Sequence, residues 1–228
     1  FLIDWVGRQR ANPGEGVIGA LIAEHGDTLD DVVLGGFADG FFLGGYETSA
    51  SMLGLGTYVL IQHPEALARV ADDDAALDAT VEEMLRYLSV VQLAFPRIAR
   101  HDIELHGQRI RAGDLVGVSL SGANRDRAMG PDADEFSPET QRPSHLAFSH
   151  GIHRCVGAEL ARLELRCAFR GLVRRFPDIA LAIPPDQLNF RGMSAVYGIE
   201  SLPVRLSTAD SATPTDRTVA DGAPMRLR

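Results

Sequence analysis

One thiol in this chain sits where it could do chemistry: Cys155, in the stretch Phe148-Ser149-His150-Gly151-Ile152-His153-Arg154-Cys155-Val156-Gly157. The residues that follow, Ala158 to Phe169, are helix formers, with an apolar stripe expected through Leu160, Leu163, Cys167 and Phe169. Cys155 therefore reads as lying at a helix N-terminus. Unpaired N–H groups and the helix dipole favour a thiolate there, the form that ligates metal or attacks an electrophile. Gly151 and Gly157 let backbone pass close to something flat and bulky. From chemistry alone three readings stand side by side: a buried small hydrophobe, a nucleophile with His150 or His153 as base, and a metal ligand. A disulfide to Cys167 is excluded, since the intervening helix would hold the pair about 18 Å apart and a bridge needs Cα atoms within about 7 Å.

A second reactive pair is Glu47-Thr48, an acid beside an alcohol in Gly44-Gly45-Tyr46-Glu47-Thr48-Ser49-Ala50. Adjacent glycines inside a helix each cost about 1 kcal/mol relative to alanine, so they mark either close helix packing or a place where the helix opens or a ligand approaches. A third pattern is Glu82-Glu83-Met84-Leu85-Arg86, where Glu83 and Arg86 share a helix face and can pair. Taken alone, that spacing reads as a solvated surface pair.

In this order the three patterns resemble the cytochrome P450 family, the haem-thiolate monooxygenases. Phe148, Gly151, Cys155 and Gly157 match the Phe-x-x-Gly-x-x-x-Cys-x-Gly haem-binding loop, and His153, two residues before the cysteine, resembles bacterial members. Ser149 replaces a frequent glycine, a change read as tolerated outside the most restricted part of the motif. Gly45, Glu47, Thr48 and Ser49 match the family's oxygen-activating segment, with Gly44 in place of alanine. Glu83 and Arg86 resemble its structural Glu-x-x-Arg, completed by Arg142.

The resemblance implies a mainly α (α+β) P450 fold, represented here by its C-terminal portion with a long distal helix, a small β-sheet and the cysteine loop. Cys155 would be the axial ligand of haem b, iron protoporphyrin IX, donating electron density to the iron. Gly45, Phe148, Gly151 and Gly157 would adjoin the cofactor, and Arg97 with His153 would bind a haem propionate. Glu47 and Thr48 would help deliver protons on the distal side. The implied activity inserts one oxygen atom from O2 into a small apolar organic substrate, with electrons from a ferredoxin and ferredoxin reductase type donor. A haem-binding protein without turnover, or an inactive truncated remnant, is the alternative, because the resemblance covers about residues 1 to 207 and only the C-terminal half of the family.

Several elements must position these residues. Phe1 to Glu24 reads as two short helices broken at Asn12-Pro13-Gly14. Thr28, with Asp31 three residues on, predicts the cap of a helix running from about Leu29 to Ile61, apolar enough to be buried nearly all round. A short helix from about Glu65 and another from about Asp78 to Tyr87 follow. Arg97–Arg100, Ile103–Leu105, Ile110 and Leu115–Leu120 read as strands, and a meander from Asn124 leads to the cysteine loop. Arg162, Arg166, Arg170 and Arg174, four apart, form either a solvated face paired with Glu159 and Glu164 or a docking face for an acidic electron donor. Ile179–Ile183 and Ala195–Leu206 predict terminal hairpins. Thr208–Arg228 reads as a disordered tail, leaving 1–207 as one partial catalytic domain.

The net charge of -9 argues against nucleic acid as partner. No apolar run reaches the roughly 18 residues of a membrane span, and two cysteines without bridging geometry suit a reducing cytoplasm. All 22 basic residues are arginine, as expected of a GC-rich bacterial genome.

Overall fold

The computed structural model describes residues 1–192 and 194–207. The predicted tail, 208–228, lies outside them. The chain divides into two compact units, one ending at Thr48 and the other beginning at Ser49.

In the first unit, α1 (Leu2–Ala11) and α2 (Val17–His25) bury Val6, Ile18 and Ile22 with Leu34 and Ala38 from the start of α3 (Asp31–Gln62). Arg10 fastens the α2–α3 connection, donating to Asp31 Oδ1 at 2.5 Å and to the Gly26 carbonyl at 3.0 Å. The cap of α3 is Asp30, whose Oδ1 accepts from the Val33 N–H at 2.8 Å. Thr28, the cap expected from sequence, instead donates its hydroxyl to the His25 carbonyl, because Asp31 is drawn off by Arg10 and no capping box closes. The early part of α3 is not buried all round: Val32, Phe37, Phe41, Phe42, Leu43 and Tyr46 are exposed, with Phe37 stacked on Phe41 and Phe42 on Tyr46.

The second unit packs the later part of α3 (Met52, Leu55, Tyr58, Val59) against three further helices. These are α4 (Pro64–Val70), α5 (Asp74–Leu88) and, beyond the sheets, α7 (Ala158–Arg175). Pro64 starts α4, where its missing N–H costs nothing. In α5 the spacing of Leu77, Val81, Met84, Leu85 and Leu88 puts one apolar stripe into the core. That helix begins four residues earlier than the apolar pattern predicts, because Asp73 caps it by accepting from the Ala76 N–H at 3.0 Å. On α7 the buried positions are Ala158, Leu165, Phe169 and Val173, whereas Leu160, Leu163 and Cys167 of the predicted stripe are exposed. At Gly56 α3 comes close against α7: a Cβ there would lie 2.4 Å from Phe169 Cζ.

The β structure is smaller than predicted. Strands β1 (Arg97–Ile98) and β4 (Leu115–Val116) pair antiparallel, Arg97 facing Val116, and β2 (Ile103–Leu105) pairs with β3 (Gln108–Ile110) through a turn at His106 and Gly107, both at positive φ. The expected Leu115–Leu120 strand ends at Val116; Ser119 caps the short helix α6 (Leu120–Ala123) with its hydroxyl. Near the end, β5 (Ala180–Leu181) pairs with β6 (Val204–Arg205), and Phe190 bridges to Ile199.

Candidate functional site

The cysteine loop is shaped by two consecutive reversals. Ser149 (φ 60°) and Gly151 (φ 73°) both take the left-handed conformation, and a short 3-10 turn, Gly151–His153, brings the chain round. The Cys155 N–H then donates to the Phe148 carbonyl at 2.9 Å, so the thiol is held by backbone across the loop. Ser149 is thus not in a permissive position. A side chain there costs about 1–2 kcal/mol, which is why glycine suits it. Gly157 caps α7, and a Cβ on it would meet only the Cys155 sulfur, at 3.9 Å.

Cys155 is exposed, as are the apolar side chains of Ile152 and Val156 in the same loop and Leu160 and Leu163 on α7. An exposed soft donor amid uncovered apolar surface fits a flat, largely apolar group carrying a metal. Among the described residues no three His, Cys, Asp or Glu side chains come together to hold a bare ion. A single sulfur is instead the donor set for a metal that already has its own chelating ring. His153 is exposed, and Arg97, on β1, donates to the Phe95 carbonyl at 3.0 Å.

The loop hangs from a buried polar scaffold. Arg86, 1% exposed, donates from Nε and one Nη to the two carboxylate oxygens of Glu83, both at 2.7 Å. Its remaining donors reach the carbonyls of Asn124 (2.7 Å), Ala133 (2.6 Å) and Glu135 (2.8 Å), so one side chain satisfies much of the meander. Arg142 also faces Glu83, with Nε 3.6 Å from Oε1, beyond a good hydrogen bond. Its firm bidentate partner is Asp132, at 3.0 and 3.1 Å, and that pairing holds the Asp132 carboxyl below its ordinary range.

Asn124, fully buried, joins this scaffold to the loop, and its role was not foreseen from sequence. Its side-chain oxygen accepts from the Leu146 N–H at 2.6 Å and its amide donates to Ser89 at 2.8 Å.

The arginine row of α7 is paired within the chain, although Arg166 and Arg174 are exposed. Arg162 pairs with Glu82 at 2.5 Å, Arg166 with Asp78 at 2.8 Å, Arg170 with Asp74, and Arg174 with Asp72 at 3.5 Å. Acids four apart on α5 match arginines four apart on α7 in antiparallel order. Of the partners expected from sequence, Glu159 does pair with Arg162, while Glu164 accepts a hydrogen bond from Ser49. Each of the four has an acid within the chain, which favours a self-paired face over one that docks an acidic donor. The missed signal was the complementary row Asp74, Asp78, Glu82.

In the first unit, α3 runs unbroken through Gly44 and Gly45, without the opening their pairing allowed. The Thr48 hydroxyl donates to the Gly44 carbonyl at 2.5 Å, one turn back along the helix. A Cβ on Gly44 or Gly45 would meet nothing within 4 Å, so close packing does not require these glycines. Glu47, beside Thr48, is exposed.

The family pattern described as Cytochrome P450 matches residues 75–186, which hold the buried scaffold, the meander and the cysteine loop. The chain belongs to the cytochrome P450 family. It is 43% identical to cytochrome P450 165B3 of Amycolatopsis orientalis over 90% of this chain and 51% of that protein. It is 39% identical to the 6-deoxyerythronolide B hydroxylase of Saccharopolyspora erythraea over 90% of this chain and 52% of that one. The solved structure of P450 StaH, from glycopeptide antibiotic A47934 biosynthesis, superposes with a TM-score of 0.85 at 44% identity, covering 90% of this chain and 55% of that chain. The chain spans about half the length of the curated P450s it matches. What it carries is the mainly helical C-terminal part of the P450 fold.

Proposed function

We propose that the protein to which this chain belongs is a haem-thiolate monooxygenase that inserts one atom of O2 into a small apolar organic molecule. The observation that carries the reading is the exposed Cys155 thiol, held by its own N–H to the Phe148 carbonyl and surrounded by uncovered apolar side chains. In this reading Cys155 binds the iron of haem b as a thiolate. Gly45, Phe148, Gly151 and Gly157 lie against the macrocycle, and Arg97 and His153 take a propionate. The haem, when bound, supplies oxygen activation and the oxidising power for C–H attack.

The protein's residues do the rest. The Phe148–Cys155 backbone bond restrains the Cys155 backbone, so that ligation would need little rearrangement of the loop. Thr48 holds a hydroxyl proton at the Gly44 carbonyl and can turn it toward a distal acceptor, with Glu47 as the acid that replenishes it. Exposed aromatic residues of α3, Phe37, Phe41 and Phe42, offer apolar surface that excludes water when covered. Relatives named as hydroxylases support oxygen insertion, and the reading takes a ferredoxin-type donor as electron source. No described helix is long and apolar enough to cross a membrane; a cytoplasmic location and residues 1–207 as one part, the C-terminal half, of a catalytic domain belong to the same proposal.

The test uses a longer protein containing this sequence. Reduced under carbon monoxide, it should give the red-shifted thiolate Soret band, and a ferredoxin system should consume NADPH in step with oxygenated product. The same band with NADPH use that yields no product from any apolar compound tried would favour a haem binder without turnover.

The exposed apolar side chains of α3 support a second reading for residues 1–228 on their own, an inactive piece that self-associates. A monomeric preparation of that piece with one haem per chain and measurable turnover would refute it.

A further inference from the structure

Arg162 is the member of the α7 row whose contacts reach the cysteine loop. Its Cζ lies 4.9 Å from the centroid of the Phe148 ring, and Phe148 is the residue whose carbonyl receives the Cys155 N–H. The guanidinium is gripped from both sides: Glu82 takes Nε at 2.5 Å and one Nη at 3.1 Å, and Glu159 takes the other at 2.9 Å. Glu82 is itself oriented by His145, with Nε2 at 3.2 Å. The Ala147 N–H donates to His145 Nδ1 at 3.2 Å, which leaves Nε2 as the protonated nitrogen that donates to Glu82. His145 and Ala147 belong to the strand of chain that leads into Phe148, and the His145 ring lies 6.2 Å from the Phe148 ring. The group borders a cavity of about 670 Å³, so it stands at the surface of the loop and not in the core.

We propose that Arg162, Glu82 and His145 form a clamp that positions Phe148, and through it the Cys155 thiolate, and that the clamp's balance of charge sets how readily the bound iron is reduced. A planar cation over the ring restrains Phe148 while leaving its carbonyl aimed at the Cys155 N–H. Glu82 fixes the cation's orientation and cancels part of its charge. Arg162 and Glu82 are positioning residues acting through Phe148. The proposal rests on the haem-thiolate reading above.

The experiment measures, in the full-length haem-loaded protein, the carbonyl spectrum and the midpoint potential of wild type, Arg162→Gln, Glu82→Gln and the double variant. Loss of the cation makes an added electron less welcome, and loss of the neighbouring anion does the reverse. Arg162→Gln should therefore lower and Glu82→Gln raise the reduction equilibrium, each about threefold, or roughly 30 mV for a one-electron couple. The double variant should return toward wild type.

If both single variants move the potential in one direction, or neither moves it, the clamp is wrong, because simple loosening of the loop has no sign that follows the charge removed. Should Arg162→Gln fail to retain haem, Arg162→Lys decides the matter. It keeps the charge without the planar face, so the potential should stay near wild type while the fraction of neutral-thiol carbonyl band rises, and an unchanged fraction would overturn the clamp. A wild-type protein lacking the red-shifted band would overturn the haem-thiolate reading and this proposal together. An intact band with unmoved potentials would overturn this proposal alone.

Discussion

Replacing Glu83 with Gln changes one atom and removes the charge that pairs with buried Arg86 and faces buried Arg142. Glu83, Arg86 and Arg142 side chains are 6%, 1% and 4% exposed, so water cannot take over. Arg86 gives two of its donors to Glu83 at 2.7 Å, and the Ser137 N–H gives a third hydrogen bond to Oε1 at 2.9 Å. An amide in that place keeps one acceptor oxygen and turns its other end, an NH2 group, against an Arg86 or Ser137 donor. Breaking a buried ion pair by removing one partner's charge costs about 3–5 kcal/mol, a large share of the 5–15 kcal/mol that usually holds a domain together.

Urea denaturation of a longer protein carrying this sequence, followed by far-UV circular dichroism, should show a midpoint lowered by about 2 M with an unchanged slope, taking about 2 kcal/mol per molar as a typical slope. Asp72→Asn, which touches the exposed 3.5 Å pair with Arg174, should leave the midpoint where it was. If Glu83→Gln falls within about 1 kcal/mol of wild type, the inference that this site is dry and uncompensated is wrong.

Ser149→Gly should stabilise the loop: relief of left-handed strain, about 1–2 kcal/mol, exceeds the about 0.5–1 kcal/mol of extra unfolded-state entropy, and thermal melting would register the rise. Burial raises the Glu82 carboxyl, but hydrogen bonds from His145 and Arg162 outweigh it and bring the group from 4.5 to about 2. A depressed carboxylate stabilises the fold above its unfolded value and loses that contribution as pH falls through the folded one. The stability gap between wild type and Glu82→Gln, measured by denaturation at successive pH values, should therefore shrink as pH falls between about 4.5 and 2. Thr48→Ala should keep haem bound but lower product per NADPH as peroxide accumulates, because the hydroxyl that moves the proton is gone; unchanged coupling would leave Thr48 only its bond to Gly44.

The parts of the fold set by local rules were legible in the sequence. The apolar periodicity of α5, the end of α3 just before His63-Pro64 and the turn at Gly107 all depend on residues within a few positions of one another. What escaped was decided at a distance. Thr28 lost the α3 cap because Arg10 claims Asp31 from another helix. The exposed side of α7 could not be distinguished from its buried side, since Leu160 and Leu163 are as apolar as Leu165 and Phe169. The arginine row invited an external partner only because its acids lie some 80 to 100 residues upstream. Asn124 marked the start of the meander but not its role there: that role has no period, and only the carbonyls and N–H groups around it explain it. The cysteine loop itself was readable because its constraints, a left-handed glycine and a thiol before a helix, lie within ten residues.

The central claim is that Cys155 is the iron's thiolate ligand. The most direct measurement is the reduced carbonyl spectrum of the full-length protein with Cys155→Ser beside Cys167→Ser. A hydroxyl in place of the Cys155 sulfur is a poor iron ligand and lacks its electron donation, so the red-shifted band should vanish. Cys167, exposed on α7 well beyond the loop, should be replaceable without spectral change. A red-shifted band that survives Cys155→Ser, or one that disappears with Cys167→Ser, would contradict the account.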